Sequence, residues 1–180
     1  MLGCLDRSPW MVHFNCNSCN GCDIEVLACL TPLYDVERFG VLHVGNPKHA
    51  DILLVTGSVN HRNAPVLRNV YDQMPEPRLV VALGACGATG GIFSTGYNVL
   101  GGIDKVIPVD VWVPGCPPRP EAIIDGVLQA VTIWKERGKN FANGAAPRWQ
   151  VTRVPTVAPT ASTPSEDNKQ GVPAQEVTGK

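Results

Sequence analysis

Two mostly apolar runs in this chain, residues 78–83 and 106–113, end alike, in a tight turn followed by a cysteine. The turns read Leu83-Gly84-Ala85-Cys86 and Val113-Pro114-Gly115-Cys116. With further runs at 40–44 and 51–56, they are continuously apolar rather than alternating, the pattern of strands buried on both faces of a parallel sheet. Helical stretches fall between and around them. Residues 64–73 carry Pro65 in a first turn, and 120–137 begin at Pro120 with Gly138 placed as a stop. A short helix is expected over 23–30, ended by Thr31-Pro32. Strands alternating with helices predict an α/β fold, a parallel sheet with helices on both faces. Ligands of such sheets bind beyond the carboxyl ends of the strands, so Cys86 and Cys116 are expected on one edge.

At 180 residues the chain has room for one ordinary domain, and its composition divides it. Residues 1–141 hold every strand and helix pattern. Residues 142–180 are rich in Pro, Ala, Thr, Ser and Val without any period, which predicts an extended or disordered tail. In that tail Arg148, Trp149 and Val151 are the candidate anchors on a neighbouring subunit. Charged residues make up only 17% and the formal net charge is −1, so the basic footprint of a nucleic-acid binder is missing. The longest uncharged stretch, 79–103, contains seven glycines and makes a poor helix in lipid. Membrane association is therefore expected only through partner subunits.

Seven cysteines, an odd number, with no secretory apolar stretch over 1–14, point to metal or redox chemistry rather than a disulfide scaffold. Three of them, Cys16, Cys19 and Cys22, precede the first helix, whose N-terminal amides favour thiolates and a negatively charged centre. Zinc usually takes its ligands as two local pairs, unlike one local cluster joined by two lone strand-end cysteines. Cys116-Pro117 matches the Cys-Pro that closes the bacterial ferredoxin pattern, although no cysteine stands four positions after Cys22. A thioredoxin-like dithiol at Cys19 and Cys22 leaves Cys86 and Cys116 unexplained. One 4Fe–4S cluster held by four thiolates is the economical reading. Spacing does not decide among Cys16, Cys19 and Cys22, while Cys4 and Cys29 read as small hydrophobes.

Three segments together resemble one family. They are Asn17-Ser18-Cys19-Asn20-Gly21-Cys22-Asp23-Ile24-Glu25, Gly84-Ala85-Cys86-Gly87-Ala88-Thr89-Gly90-Gly91 and Val113-Pro114-Gly115-Cys116-Pro117-Pro118. The family is the small-subunit family shared by nickel–iron hydrogenases and respiratory complex I, where it is the 20 kDa subunit. Residues 64–77 resemble the complex I branch, and the likeness runs from about Ser8 to Arg137. The resemblance implies a flavodoxin-like α/β domain holding one 4Fe–4S cluster, with ligands at Cys19, Cys22, Cys86 and Cys116. Complex I members are similar to one another in having two adjacent cysteines in the first motif. This chain instead has the Cys19-x-x-Cys22 of hydrogenases, and it is too short to resemble the three-cluster uptake enzymes.

A short, one-cluster member of this kind resembles the small subunit of a membrane-bound, energy-converting nickel–iron hydrogenase. The implied partners are a large subunit with the nickel–iron site, a ferredoxin-like iron–sulfur subunit and integral membrane subunits. The implied location is the cytoplasmic face of the cell membrane, peripheral. The role would be electron transfer in an oxidoreductase complex, with no catalytic residue on this chain. A complex I-like subunit with a quinone, sulfur or other acceptor is the alternative within the family, and a zinc-stabilised interaction module the alternative outside it. Gly84, Gly87, Gly90 and Gly91 do not fit a phosphate-binding order and read as close backbone approach to the cluster. Glu25, one turn beyond Cys22, reads as either a surface carboxylate or a group that senses cluster charge. His43, His49 and His61 lack ligand spacing, and Arg62, Arg68 and Arg119 read as solvated or partner-facing charges.

Overall fold

A computed structural model describes residues 8–142; the expected tail, with its anchors, and Cys4 lie outside the described residues. Five strands form one parallel sheet: β1 (Trp10–Asn15), β2 (Leu42–His43), β3 (Ile52–Thr56), β5 (Leu79–Leu83) and β7 (Val111–Val113). Their spatial order is β2-β1-β3-β5-β7, the flavodoxin-like order in which the sheet reverses direction of growth between β1 and β3. A separate antiparallel pair joins β4 (Val59–Asn60) to β6 (Val99–Gly101). The helices are α1 (Gly21–Cys29), α2 (Ala64–Gln73), α3 (Gly84–Thr89) and α4 (Pro120–Ala142).

Continuous apolar strands were expected to be buried on both faces, and they are. Alternate residues of β3 and β5 feed two separate cores. Ile52, Leu54, Leu79, Val81 and Leu83 pack with Val26 of α1 and with Ile123, Val127 and Trp134 of α4. Leu53, Val55, Val80 and Ala82 pack on the other face with Leu67 of α2 and with Ile103 and Ile107. Each fully buried Leu or Ile side chain contributes about 1.5–3 kcal/mol relative to exposure, so the two central strands anchor the domain.

Several elements differ from the sequence expectation. Strand β1 was not anticipated, because its second half carries His13 and Asn15 and breaks the apolar run. Only Val111–Val113 of the run 106–113 pairs in the sheet, since Pro108 cannot supply a ladder N–H. Of 40–44 only Leu42–His43 pairs, as a two-residue edge. Helix α1 starts at Gly21 rather than Asp23. Helix α4 does not stop at Gly138 but runs to Ala142. A helical glycine costs only about 1 kcal/mol against alanine, and the turn that leads into Gly138 is held in place. Arg137 Nη2 lies 2.6 Å from Asp110 Oδ1, and the Trp134 indole N–H donates to the Pro77 carbonyl at 3.0 Å.

The register is what prepares the site. Asn15 pairs with Thr56, Thr56 with Leu83, and Leu83 with Val113, so four strands end in one row across the sheet. Loops leaving that row emerge at one level. A core truncation at its base, Leu54→Ala, is expected to cost about 2–5 kcal/mol, read by denaturant unfolding of the full-length chain. A loss under about 1 kcal/mol would contradict the central role of β3.

Candidate metal centre

Three of the four loops leaving the row carry the cysteines singled out by the sequence. The loop after β1 carries Cys19 and then Cys22, the second residue of α1. Strand β5 passes directly into α3, which carries Cys86, and the loop after β7 carries Cys116. Helix α3 was expected to be a turn. Two glycines in six residues hide it from propensity, and the Ala85 N–H donating to the Gly115 carbonyl at 2.8 Å ties its start to the β7 loop. Cys22 and Cys86 are buried while Cys19 and Cys116 are exposed, so the thiols form an inner and an outer pair.

Glycine backbone lies against three of the four sulfurs. A Cβ on Gly84 would stand 2.8 Å from Cys22 Sγ and 3.3 Å from the Gly115 oxygen, and the residue has φ +76°. No side chain fits there. A Cβ on Gly91 would lie 3.0 Å from Cys86 Sγ, and one on Gly21 3.5 Å from Cys19 Sγ and 3.8 Å from Pro117. Chain is thus drawn close around the thiols without filling the space between them.

The four thiols sense one another. Burial pushes the Cys22 thiol up to about 11, and the fields of Cys86, Cys19, Asp23 and Cys116 add to the shift. Cys86 is raised by burial and then by Cys116 and Cys19. A set of four mutually repelling thiolates calls for positive charge among them. Among the described residues, no three His, Cys, Asp or Glu side chains converge as a single ion requires. The four cysteines offer a donor set of sulfur alone, which fits an iron–sulfur group by its softness.

Cys16, left open by spacing, stands apart from the four in its packing. It is completely buried at the end of β1 within the second core, and burial alone pushes its thiol up to about 12. Cys29 is also buried, in the first core, with its thiol raised to about 11 by burial and then by Glu25. Glu25 is half-buried on α1, and His43, His49 and His61 are exposed.

Sequence reasoning missed a polar group beneath the thiols. Asp23 Oδ1 accepts hydrogen bonds from Thr56 Oγ1 at 2.5 Å and His13 Nε2 at 2.9 Å. Asp23 Oδ2 accepts from Ser18 Oγ at 2.6 Å and Asn15 Nδ2 at 2.5 Å. Burial opposes its charge, but the bonds from Ser18 and Thr56 and the influence of His13 hold the carboxyl below its ordinary value. His13 is lowered because burial outweighs the pull of Asp23, so near pH 7 it is a neutral donor rather than half of an ion pair. The only available signal was the interruption of an apolar strand by His13 and Asn15.

Fold and site define a class: a flavodoxin-like domain with a four-thiol edge. The chain belongs to the family of the 20 kDa subunit of NADH ubiquinone oxidoreductase, whose pattern matches residues 19–130. It is 55% identical over 127 residues to a probable membrane-bound hydrogenase subunit of Pyrococcus furiosus, covering 71% of this chain and 76% of that protein. It is 49% identical over 145 residues to an NADH-quinone oxidoreductase subunit of Flavobacterium psychrophilum, covering 80% and 77%. Among solved structures, a chain of the membrane-bound sulfane sulfur reductase, an archaeal respiratory membrane complex, superposes with a TM-score of 0.62 at 31% identity. That match covers 79% of this chain and 92% of the other. These relatives are subunits of oxidoreductase complexes. No helix among the described residues is long and apolar enough to cross a membrane.

Gly84→Ala is expected to displace Cys22, because the new Cβ overlaps its sulfur and left-handed backbone costs a non-glycine residue about 1–2 kcal/mol. Alkylation of Cys22 in the full chain should speed up, measured by mass spectrometry. An unchanged rate would show that the close approach is not structural.

Proposed function

We propose that Cys19, Cys22, Cys86 and Cys116 hold one 4Fe–4S cluster, and that the chain is the electron-transfer small subunit of a membrane-bound nickel–iron hydrogenase complex. The observation that carries this reading is the gathering of four thiols at one strand edge. The hydrogenase assignment is supported by the Cys19-x-x-Cys22 motif and by the 55% identity to a probable membrane-bound hydrogenase subunit. A 4Fe–4S cluster takes up and passes on one electron at a time. The chain's own residues hold it: Cys22 and Cys86 from the buried side, Cys19 and Cys116 from the exposed side. Backbone at Gly84 and Gly91 comes close to the sulfurs, where amides tune a cluster's potential.

On this reading the exposed side faces the large subunit with its nickel–iron site, where hydrogen is formed or oxidised. A ferredoxin-like subunit supplies electrons, and membrane subunits fix the complex to the cytoplasmic face. A second reading, a complex I-like subunit delivering electrons to a quinone or sulfur acceptor, is favoured by the 49% and 31% identities to such relatives. Hydrogen evolution by the purified complex separates the two.

In the assembled complex, Cys19→Ser, Cys22→Ser, Cys86→Ser or Cys116→Ser should each abolish one reducible electron paramagnetic resonance signal. Cys16→Ala and Cys29→Ala should leave it. Full retention in Cys86→Ser, or zinc without iron in the wild-type chain, overturns the cluster reading. We further propose that residues 1–141 form the cluster domain, since none of the four cysteines lies beyond them. Deleting 151–180 should then leave iron per chain unchanged, and reduced iron in an otherwise intact complex would refute that boundary.

A further inference from the structure

The polar group around Asp23 adds side-chain bonds between three parts of the chain at the site. His13 and Asn15 belong to β1, Thr56 to β3, and Ser18 to the loop that carries Cys19. All four donate to the two oxygens of one carboxylate in the first turn of α1. The order passes on into the loop backbone. Ser18 Oγ accepts from the Asn20 N–H at 3.0 Å, and Asn15 Oδ1 accepts from the Ser18 N–H at 3.0 Å. Asn20, held in this way, adopts φ +66° and starts α1. From the other side, the loop is pressed against Gly57, where a Cβ would fall 2.6 Å from the Ser18 nitrogen.

We infer that Asp23 is the positioning residue of the cysteine loop: by binding strands β1 and β3 to residues 15–20, its carboxylate sets where Cys19 and Cys22 stand. The inference rests on the proposed ligand role of those two cysteines. A carboxylate suits the place because all four partners donate to it, and Asn15 Nδ2 can do nothing else. The isosteric amide of Asn would either set its N–H₂ against that of Asn15 or force His13 and Thr56 to turn from donating to accepting. Charge-assisted hydrogen bonds are the strong ones, and losing even one raises local opening by about tenfold or more. Asp23 accepts a bond from none of the four thiols; its field adds to the shift at Cys22, and its bonds act through the loop.

The test uses the purified complex carrying Asp23→Asn, with amide hydrogen exchange and the cluster's paramagnetic signal as readouts. Exchange at the Ser18 and Asn20 amides should rise by about tenfold or more. The Cys16 amide, which donates to the Thr56 carbonyl at 2.9 Å within the sheet, serves as the control and should stay unchanged. The cluster signal should change in its g values or be lost. Unchanged exchange at Ser18 and Asn20, an equal rise at all three amides, or faster exchange with the wild-type signal would each overturn the inference. Should Asp23→Asn fail to assemble, Thr56→Val removes one donor at nearly constant shape. It should give a smaller rise at the same two amides, which Thr56→Ser restores. No rise in Thr56→Val overturns the inference. Zinc or no metal in the wild-type complex refutes the cluster reading instead, while the exchange pattern still decides whether Asp23 orders the loop.

Discussion

Everything at the thiol edge depends on the register of the parallel sheet. Asn15, Thr56, Leu83 and Val113 stand side by side, each the last residue of its strand. Cys86 and Cys116 each follow their row residue by three positions, and Cys19 follows Asn15 by four. Distant segments of sequence are thereby delivered to one place. A slip of one residue in any pairing would turn the buried faces of β3 or β5 toward the wrong core. The two hydrophobic cores, Ile52 and Leu54 on one side and Leu53 and Val55 on the other, are what forbid the slip. Apolar packing below the row is therefore the origin of the thiol placement above it.

Where local chemistry and tertiary structure agree, the sequence was readable. Strands β3 and β5 are uninterrupted apolar runs, and α2 occupies residues 64–73 with Pro65 in its first turn, as expected. It was less readable where function alters composition. Strand β1 carries His13 and Asn15 because its end must meet Asp23, and those polar residues erased its strand signature. Helix α3 is glycine-rich because backbone must lie against Cys22, and those glycines erased its helix signature. Gly138 misled in the other direction: a weak local preference for stopping was overruled by Trp134 and Arg137, whose hydrogen bonds hold the helix to the sheet.

Among the cysteines, spacing and three-dimensional placement carried different information. Cys16, Cys19 and Cys22 repeat every three residues, which in sequence makes them equivalent. In the fold they are not. The Cys16 N–H still donates to Thr56 as a continuation of the strand, and its side chain falls into the apolar core. The chain leaves the sheet only after that residue, so Cys19 stands in the free loop and Cys22 in the first turn of α1. The electrostatics agree, since Cys22 and Cys86 sense Cys19 and Cys116 while the shift at Cys16 has burial as its only cause.

The division of the thiols into a buried and an exposed pair has a consequence for the life history of the subunit. Sulfurs open to solvent can be reached by a delivery protein, but equally by oxidants that carry a thiolate to sulfenic acid and beyond. Cys22 and Cys86 are shielded from both. If the four cysteines hold the proposed cluster, the side of Cys19 and Cys116 is the open one for loading it, and a partner that covers that side has to arrive afterwards. The proposed assembly then has an order in time, with metal first and cover second.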